Sequence, residues 1–295
     1  MKILVTGGGG QLATALAGLD GWSPNGGGHG AIVARGIADL DITSPDDIAR
    51  AFRHHQPDVV INAAAYTAVD AAETDVKTAM SINADGPRHL ASACRTNDVR
   101  LVQISTDFVF DGTAHSPIPT GAPTGAISNY GLSKERGDDA VREVLGEDAL
   151  IVRTAWVYAS GHPNFVASML RLMRSREEIG VVSDQLGTPT WSMTLASSLL
   201  EMIDRDATGT WHLTDSGVAS WYDFAVAIRE ISEDIGLMTH RCEVRPIRTI
   251  DFPTPARRPA YGVLDKTSTF ELLGGPTPHW RESLARCLSE WSDPT

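Results

Sequence analysis

At 295 residues with 42% hydrophobic content, the chain can bury a large core, as one large domain or two. Its formal net charge of −12 disfavours nucleic acid and anionic membrane as partners, since both reward basic patches, but leaves room for a nucleotide diphosphate. Cys94, Cys242 and Cys287 are widely spaced and form no Cys-x-x-Cys, which argues against a zinc site or disulfide framework. With neither a secretory signal nor an apolar run long enough to span a bilayer, the expected location is the cytoplasm.

Lys2 to Thr6 reads as a strand, Gly7-Gly8-Gly9-Gly10 as a turn, and Gln11 to Leu19 as a helix. That order is the setting of a dinucleotide-binding fingerprint. Gly7 can make the tight turn, Gly10 can let the backbone approach a pyrophosphate, and Ala13 lets helix and strand pack closely. Trp22 to Gly30 reads as a mobile surface loop, and Ala31 to Ala34 as the second strand. An acid at the end of that strand would select NAD through the adenosine ribose. Arg35 stands there instead and suits the 2′-phosphate of NADP. An NADPH preference is therefore expected, with NADH use left open.

Ser44, Pro45 and Asp47 fit the cap, first and third positions of a helix that runs to about His55. Asp58 to Ile61 is a buried parallel strand. The small residues after it, Asn62-Ala63-Ala64-Ala65, suit either a nearby cofactor or close packing. Helical patterns surround Ile82-Asn83-Ala84 and cover Pro87 to about Asn97. Leu101 to Ile104 is the next strand, ending in Ser105-Thr106-Asp107. Ligands of open α/β sheets bind outside such carboxyl ends, where the hydroxyl pair can meet a substrate oxygen or simply form a turn. Phe108 to Asn129 has no period, and a loop of that length is functional or disordered.

Tyr130 and Lys134 follow, one turn apart on a predicted helix to about Leu145. There the ammonium can stabilise a phenolate and lower the tyrosine pKa, making the phenol a proton donor to a carbonyl under reduction. Leu150 to Arg153 is another buried strand. The alternation predicts a Rossmann-type, doubly wound parallel α/β sheet over residues 1–153. Residues 154–295 then form a smaller, mainly substrate-binding α/β domain, parts of which can cross back to the sheet. Helices are read at Phe165 to Arg174, Thr194 to Ile203 and Trp221 to about Ile235. The last helix places Trp280, Leu284, Cys287, Leu288 and Trp291 on one face. Arg257 and Arg258 either meet a pyrophosphate or form a solvated turn.

Several ordered motifs resemble the extended short-chain dehydrogenase/reductases, and among them the dTDP-4-dehydrorhamnose reductase family, over nearly the whole chain. They are Thr6-Gly7-Gly8-Gly9-Gly10-Gln11-Leu12, Asn62 to Asp70, Ser105 to Gly112, Tyr130-Gly131-Leu132-Ser133-Lys134, Arg153 to Tyr158 and Asp184 to Thr190. The resemblance implies a catalytic trio of Thr106, Tyr130 and Lys134. It implies cofactor contacts at Gly10, Gln11, Leu12, Asp41, Ile42, Ala65, Tyr66 and Thr67, to which Gly7, Arg35 and Ile104 are added. It places Thr106, Asp107 and Trp156 against a dTDP-sugar whose 4-keto group NAD(P)H reduces. Two departures stand out: Phe108 replaces the usual tyrosine, and Ala15 replaces an acid that some members use in a magnesium-bridged dimer. No metal is therefore predicted, and a homodimer is left open. The sugar-nucleotide dehydratases of this superfamily carry Asp-Glu after the threonine, whereas here Thr106-Asp107 precedes Phe108. The remaining rivals are an epimerase or reductase of another 4-keto sugar nucleotide, or a non-catalytic subunit on the same fold.

Overall fold

Short β-branched runs, buried on both faces, build the centre of the molecule. The computed structural model describes residues 1–21 and 31–294, so the loop read at Trp22–Gly30 lies outside the described residues. The strands β1 (Ile3–Thr6), β2 (Ile32–Arg35), β3 (Val59–Asn62), β4 (Arg100–Thr106) and β5 (Leu150–Thr154) run parallel in the order β5-β4-β3-β1-β2. Arg35 closes β2 because it pairs with Thr6.

The crossover helices are α1 (Gln11–Ala17), α2 (Pro45–His55), α3 (Val76–Met80), α4 (Gly86–Asn97) and α5 (Asn129–Leu145). Helix α1 ends at Ala17, short of Leu19, with Gly18 as its C-cap. Helix α2 begins as read, with Ser44 Oγ accepting from the Asp47 amide at 3.3 Å. A π-turn, Ser81–Asp85, joins α3 to α4. Ile3 and Val5 pack on the α1 side of the sheet, and Leu4 and Val60 on the side of α2, α4 and α5.

The second half adds β6 (Val157–Tyr158), α6 (Phe165–Ser175), β7 (Glu178–Val182), β8 (Leu186–Gly187), β9 (Thr190–Trp191), α7 (Ser192–Asp204), β10 (Gly209–His212), β11 (Ala219–Ser220), α8 (Trp221–Asp234), β12 (Glu243–Ile247), α9 (Thr267–Leu273) and α10 (Trp280–Ser289). Helix α7 and β10 return to the large sheet. Strand β10 pairs parallel with β5, and Leu195, Leu199 and Leu213 share a core with Ile3 and Val152. Before and after them in the chain, α6, α8 and α10 enclose a second core of Val166, Leu170, Phe224, Ile228 and Leu284. Trp291 lies just past α10 yet still packs on that core. Among the described residues no helix is long and apolar enough to cross a membrane.

Candidate active site

The carboxyl ends of β1, β3, β4 and β5 open into one cleft of about 810 Å³. Of the residues expected from the sequence, it gathers Gly7, Gly10, Gln11, Leu12, Asp41, Ile42, Ala65, Thr67, Ile104, Thr106, Asp107, Tyr130, Lys134 and Trp156. Arg35 and Tyr66 do not line it. The glycine turn is required sterically. Gly7 has φ +71°, and a Cβ there would lie 2.8 Å from the Ala63 carbonyl. A Cβ on Gly8 would lie 2.6 Å from the Arg35 backbone, a constraint the sequence reading did not assign.

Beneath the turn runs a buried polar ladder that sequence reasoning missed. Thr6 Oγ1 donates to Asn62 Oδ1 (2.6 Å), and Asn62 Nδ2 donates to Gln103 Oε1 (2.8 Å). Gln103 Nε2 and Lys134 Nζ both donate to the Ile104 carbonyl, at 3.2 and 2.7 Å. Its signal in the sequence was one polar residue at or near the end of each apolar strand. Asn83, in the π-turn, was also missed. It binds both the amide (2.8 Å) and the carbonyl (3.0 Å) of Tyr66, and it donates to Ser133 Oγ at 2.9 Å. Tyr66 thus contributes a clamped peptide rather than a ring in the cleft.

Helix α5 begins at Asn129, capped by Ser128 Oγ accepting from the Gly131 amide at 3.1 Å. This presents Tyr130 and Lys134 to the cleft on one face. The expected lowering of the Tyr130 pKa does not occur. Desolvation pushes the phenol up to about 12, opposed by the Thr106 hydroxyl and reinforced by Asp107 and Asp138. Burial also pushes the Lys134 ammonium down to about 8, against the pull of Asp138. The ammonium is held by the Ile104 carbonyl, and desolvation is the largest influence on the phenol. The phenol therefore stays protonated at neutral pH, the form a proton donor needs.

Thr106 Oγ1 donates to Asp107 Oδ1 (3.1 Å) and accepts from the Phe108 amide (3.2 Å). Burial pushes the Asp107 carboxyl up to about 7. Ser105 Oγ donates to Asp138 Oδ2 (2.6 Å), and both Ser105 and Thr106 line the cleft. Phe108 lies edge-on to Tyr130, with ring centroids 5.5 Å apart. It is also the one residue of the 108–129 segment that lines the cleft. Val109, Phe110 and Ile118 fold instead onto Leu264.

Trp156 has φ +49°, an uncommon backbone for a bulky residue, and such strain collects at functional sites. Its indole stacks on Trp221 at 3.5 Å with an 8° interplanar angle. Trp221 thereby joins the cleft wall, although its sequence context marked only a helix start. Residues 1–292 match the family described as RmlD substrate binding domain. The chain belongs to the dTDP-4-dehydrorhamnose reductase family. It is 40% identical to a dTDP-4-dehydrorhamnose reductase of Burkholderia thailandensis, covering 98% of this chain and 99% of that one. It is 37% identical to a dTDP-4-keto-6-deoxy-D-glucose reductase of Streptomyces niveus, covering 97% and 96%. The crystal structure of a Bacillus anthracis dTDP-4-dehydrorhamnose reductase in complex with NADP is also similar. It superposes with a TM-score of 0.88 at 34% identity, over 98% of this chain and 99% of that one.

Two arginines of this family member lie where sequence could not aim them. Arg258 lines the cleft and is gripped by Asp70, from the segment after β3, through bonds of 3.0 and 2.8 Å, whereas Arg257 is exposed. Arg35 points to the α2 side of β2. Its Nε donates to His55 Nε2 at 3.4 Å, in a recess shared with Asp39, Arg50 and His54. Its backbone nevertheless touches the glycine turn, because Gly8 N donates to the Arg35 carbonyl at 2.7 Å.

Proposed function

We propose that the chain reduces the 4-keto group of dTDP-4-dehydro-L-rhamnose to give dTDP-L-rhamnose, with NADPH preferred over NADH. The observation that carries this is the meeting of Thr106, Tyr130 and Lys134 at one end of a cleft whose other end is the glycine turn. The cleft fits a dinucleotide, since the glycine turn Gly7 to Gly10 after β1 lines it with bare backbone that a pyrophosphate can approach. Gly7 to Leu12, Asp41, Ile42, the Ala65 to Thr67 backbone, Ile104 and Lys134 would hold it. When bound, the nicotinamide supplies a hydride.

The rest is the work of the chain. Tyr130, protonated at neutral pH, gives its proton to the keto oxygen, and Thr106 orients that oxygen. Lys134, charged below about pH 8, stabilises the phenolate that forms and holds the nicotinamide ribose. Asp107 and Trp156 meet the sugar nucleotide. The Streptomyces niveus relative gives one specific second reading, reduction of a dTDP-4-keto-6-deoxy-D-glucose. The deciding experiment follows NADPH oxidation with each sugar nucleotide and identifies the product. Turnover of the 6-deoxy-glucose derivative without turnover of 4-dehydrorhamnose would move the substrate and keep the mechanism. Turnover of neither would reject both.

A further inference from the structure

Along α5, Tyr130, Lys134 and Asp138 recur every four residues and so share one face. The first two reach the cleft. Asp138 does not. It is sealed beneath, 1% exposed, below a Lys134 that is itself 3% exposed. Ser105 Oγ donates to its Oδ2 at 2.6 Å, and Arg153 Nε lies 3.8 Å from the same oxygen. Its Oδ1 accepts no hydrogen bond from the described residues. A buried carboxylate with a free oxygen is costly, and the ion pair with the buried Arg153 offsets only part of that cost.

We infer that Asp138 is a positioning residue: from one turn below, locked by Ser105, its carboxylate keeps the Lys134 ammonium charged in a pocket that would otherwise neutralise it. This rests on the reading of Lys134 as the partner of Tyr130. The surrounding groups agree in sign. Desolvation raises the Asp138 pKa, and the groups around it all oppose that rise: the Ser105 hydroxyl, Lys134, Arg153 of β5, and Arg142 on α5 itself. Arg153 is in turn fixed by the Thr120 carbonyl at 3.1 Å and by the face of Phe110 at 5.0 Å. From β4 come the Ser105 hydroxyl and the Ile104 carbonyl, and just past its end, on the cleft side, Asp107. Where the π-turn and α4 approach the helix at Gly137, their facing groups are the uncharged Asn83 and Pro87. Glu135, three residues before Asp138, is bonded to Thr124 and acts on Arg153. Asp138 is thus the acidic group that acts on Lys134 from the protein interior, and it counters the desolvation of that ammonium.

The test reads the lysine directly. With lysine labelled at ¹³Cε, and Lys134→Met used to assign its signal, the Lys134 resonance is titrated in wild type and in Asp138→Asn. The amide keeps the shape and still accepts from Ser105. The midpoint should fall by about one pH unit, the size expected for removal of a nearby opposite charge. The basic limb of kcat should fall with it, and activity should recover toward wild type at about pH 6. Ser105→Ala, which loosens the carboxylate, should move the midpoint less and in the same direction. An unmoved midpoint in folded Asp138→Asn, or a kcat loss equal at every pH, overturns the inference. If Asp138→Asn does not fold, an unmoved midpoint in Ser105→Ala does so. Near-normal turnover of Lys134→Met would instead reject the catalytic reading of the lysine while leaving the measured charge coupling standing.

Discussion

Helix propensity and packing disagree at Gly137. A glycine inside a helix such as α5 costs roughly 1 kcal/mol against alanine, so propensity alone makes Gly137→Ala stabilising. A Cβ there, however, would lie 2.1 Å from the Asn83 carbonyl oxygen and 3.3 Å from its carbon. Both atoms are backbone, so no side chain can swing aside, and α5 must move away from the π-turn. Overpacking of this kind costs about 1–3 kcal/mol. The movement also strains the three bonds of the Asn83 side chain to Tyr66 and Ser133. Each is worth about 1 kcal/mol, so loss of one adds a similar amount. After the propensity gain is subtracted, a net loss of about 2 kcal/mol remains, a fall in Tm of roughly 3 °C for a chain of this length. Because Asn83 clamps the Tyr66 peptide, KM for the nicotinamide cofactor should rise as well. Thermal melts and cofactor titration measure both. A variant that melts higher than wild type would refute the packing argument and leave propensity in charge.

Tyr130→Phe removes the proton donor and keeps the ring. Turnover should fall by about a hundredfold or more with cofactor affinity largely kept, and near-normal turnover would sink the assignment. Arg35→Ala should narrow the NADPH over NADH ratio of kcat/KM by about 1.5–3 kcal/mol, the value of a hydrogen bond to a charged group. An unchanged ratio would mean that Arg35 stays with His55 and does not read the phosphate. Arg258→Lys loses the planar fork that Asp70 grips, so KM for the sugar nucleotide should rise more than kcat falls. A change in kcat alone would place Arg258 outside substrate binding. Asp107 titrates near 7 in the folded chain, above its unfolded value, so its stabilising contribution is present at low pH and is lost as pH rises toward 7. Asp107→Asn should therefore melt higher than wild type at about pH 8 and lose that advantage toward about pH 5. A gap independent of pH would contradict the buried charge.

What the sequence by itself determined is local. The strand, glycine turn and α1 follow one another within covalent reach, and Ser44, Pro45 and Asp47 cap α2 through neighbours three residues apart. The spacing of Tyr130 and Lys134 puts them on one helix face whatever the rest of the chain does. Partners far along the chain, and the dielectric around them, were decided only by tertiary packing. Thr6 meets Asn62 across 56 residues, and Ser105 meets Asp138 across 33. Helix α7 and β10 return to the large sheet, although their apolar runs look like those of any other element. Strand alternation turned Arg35 toward α2, and stacking brought Trp221 beside Trp156. Spacing suggested that lysine would lower the tyrosine pKa, but burial reversed the direction. Periodicity fixes which way a side chain leaves its own element; only the packed fold sets how much water it loses and which charges replace that water.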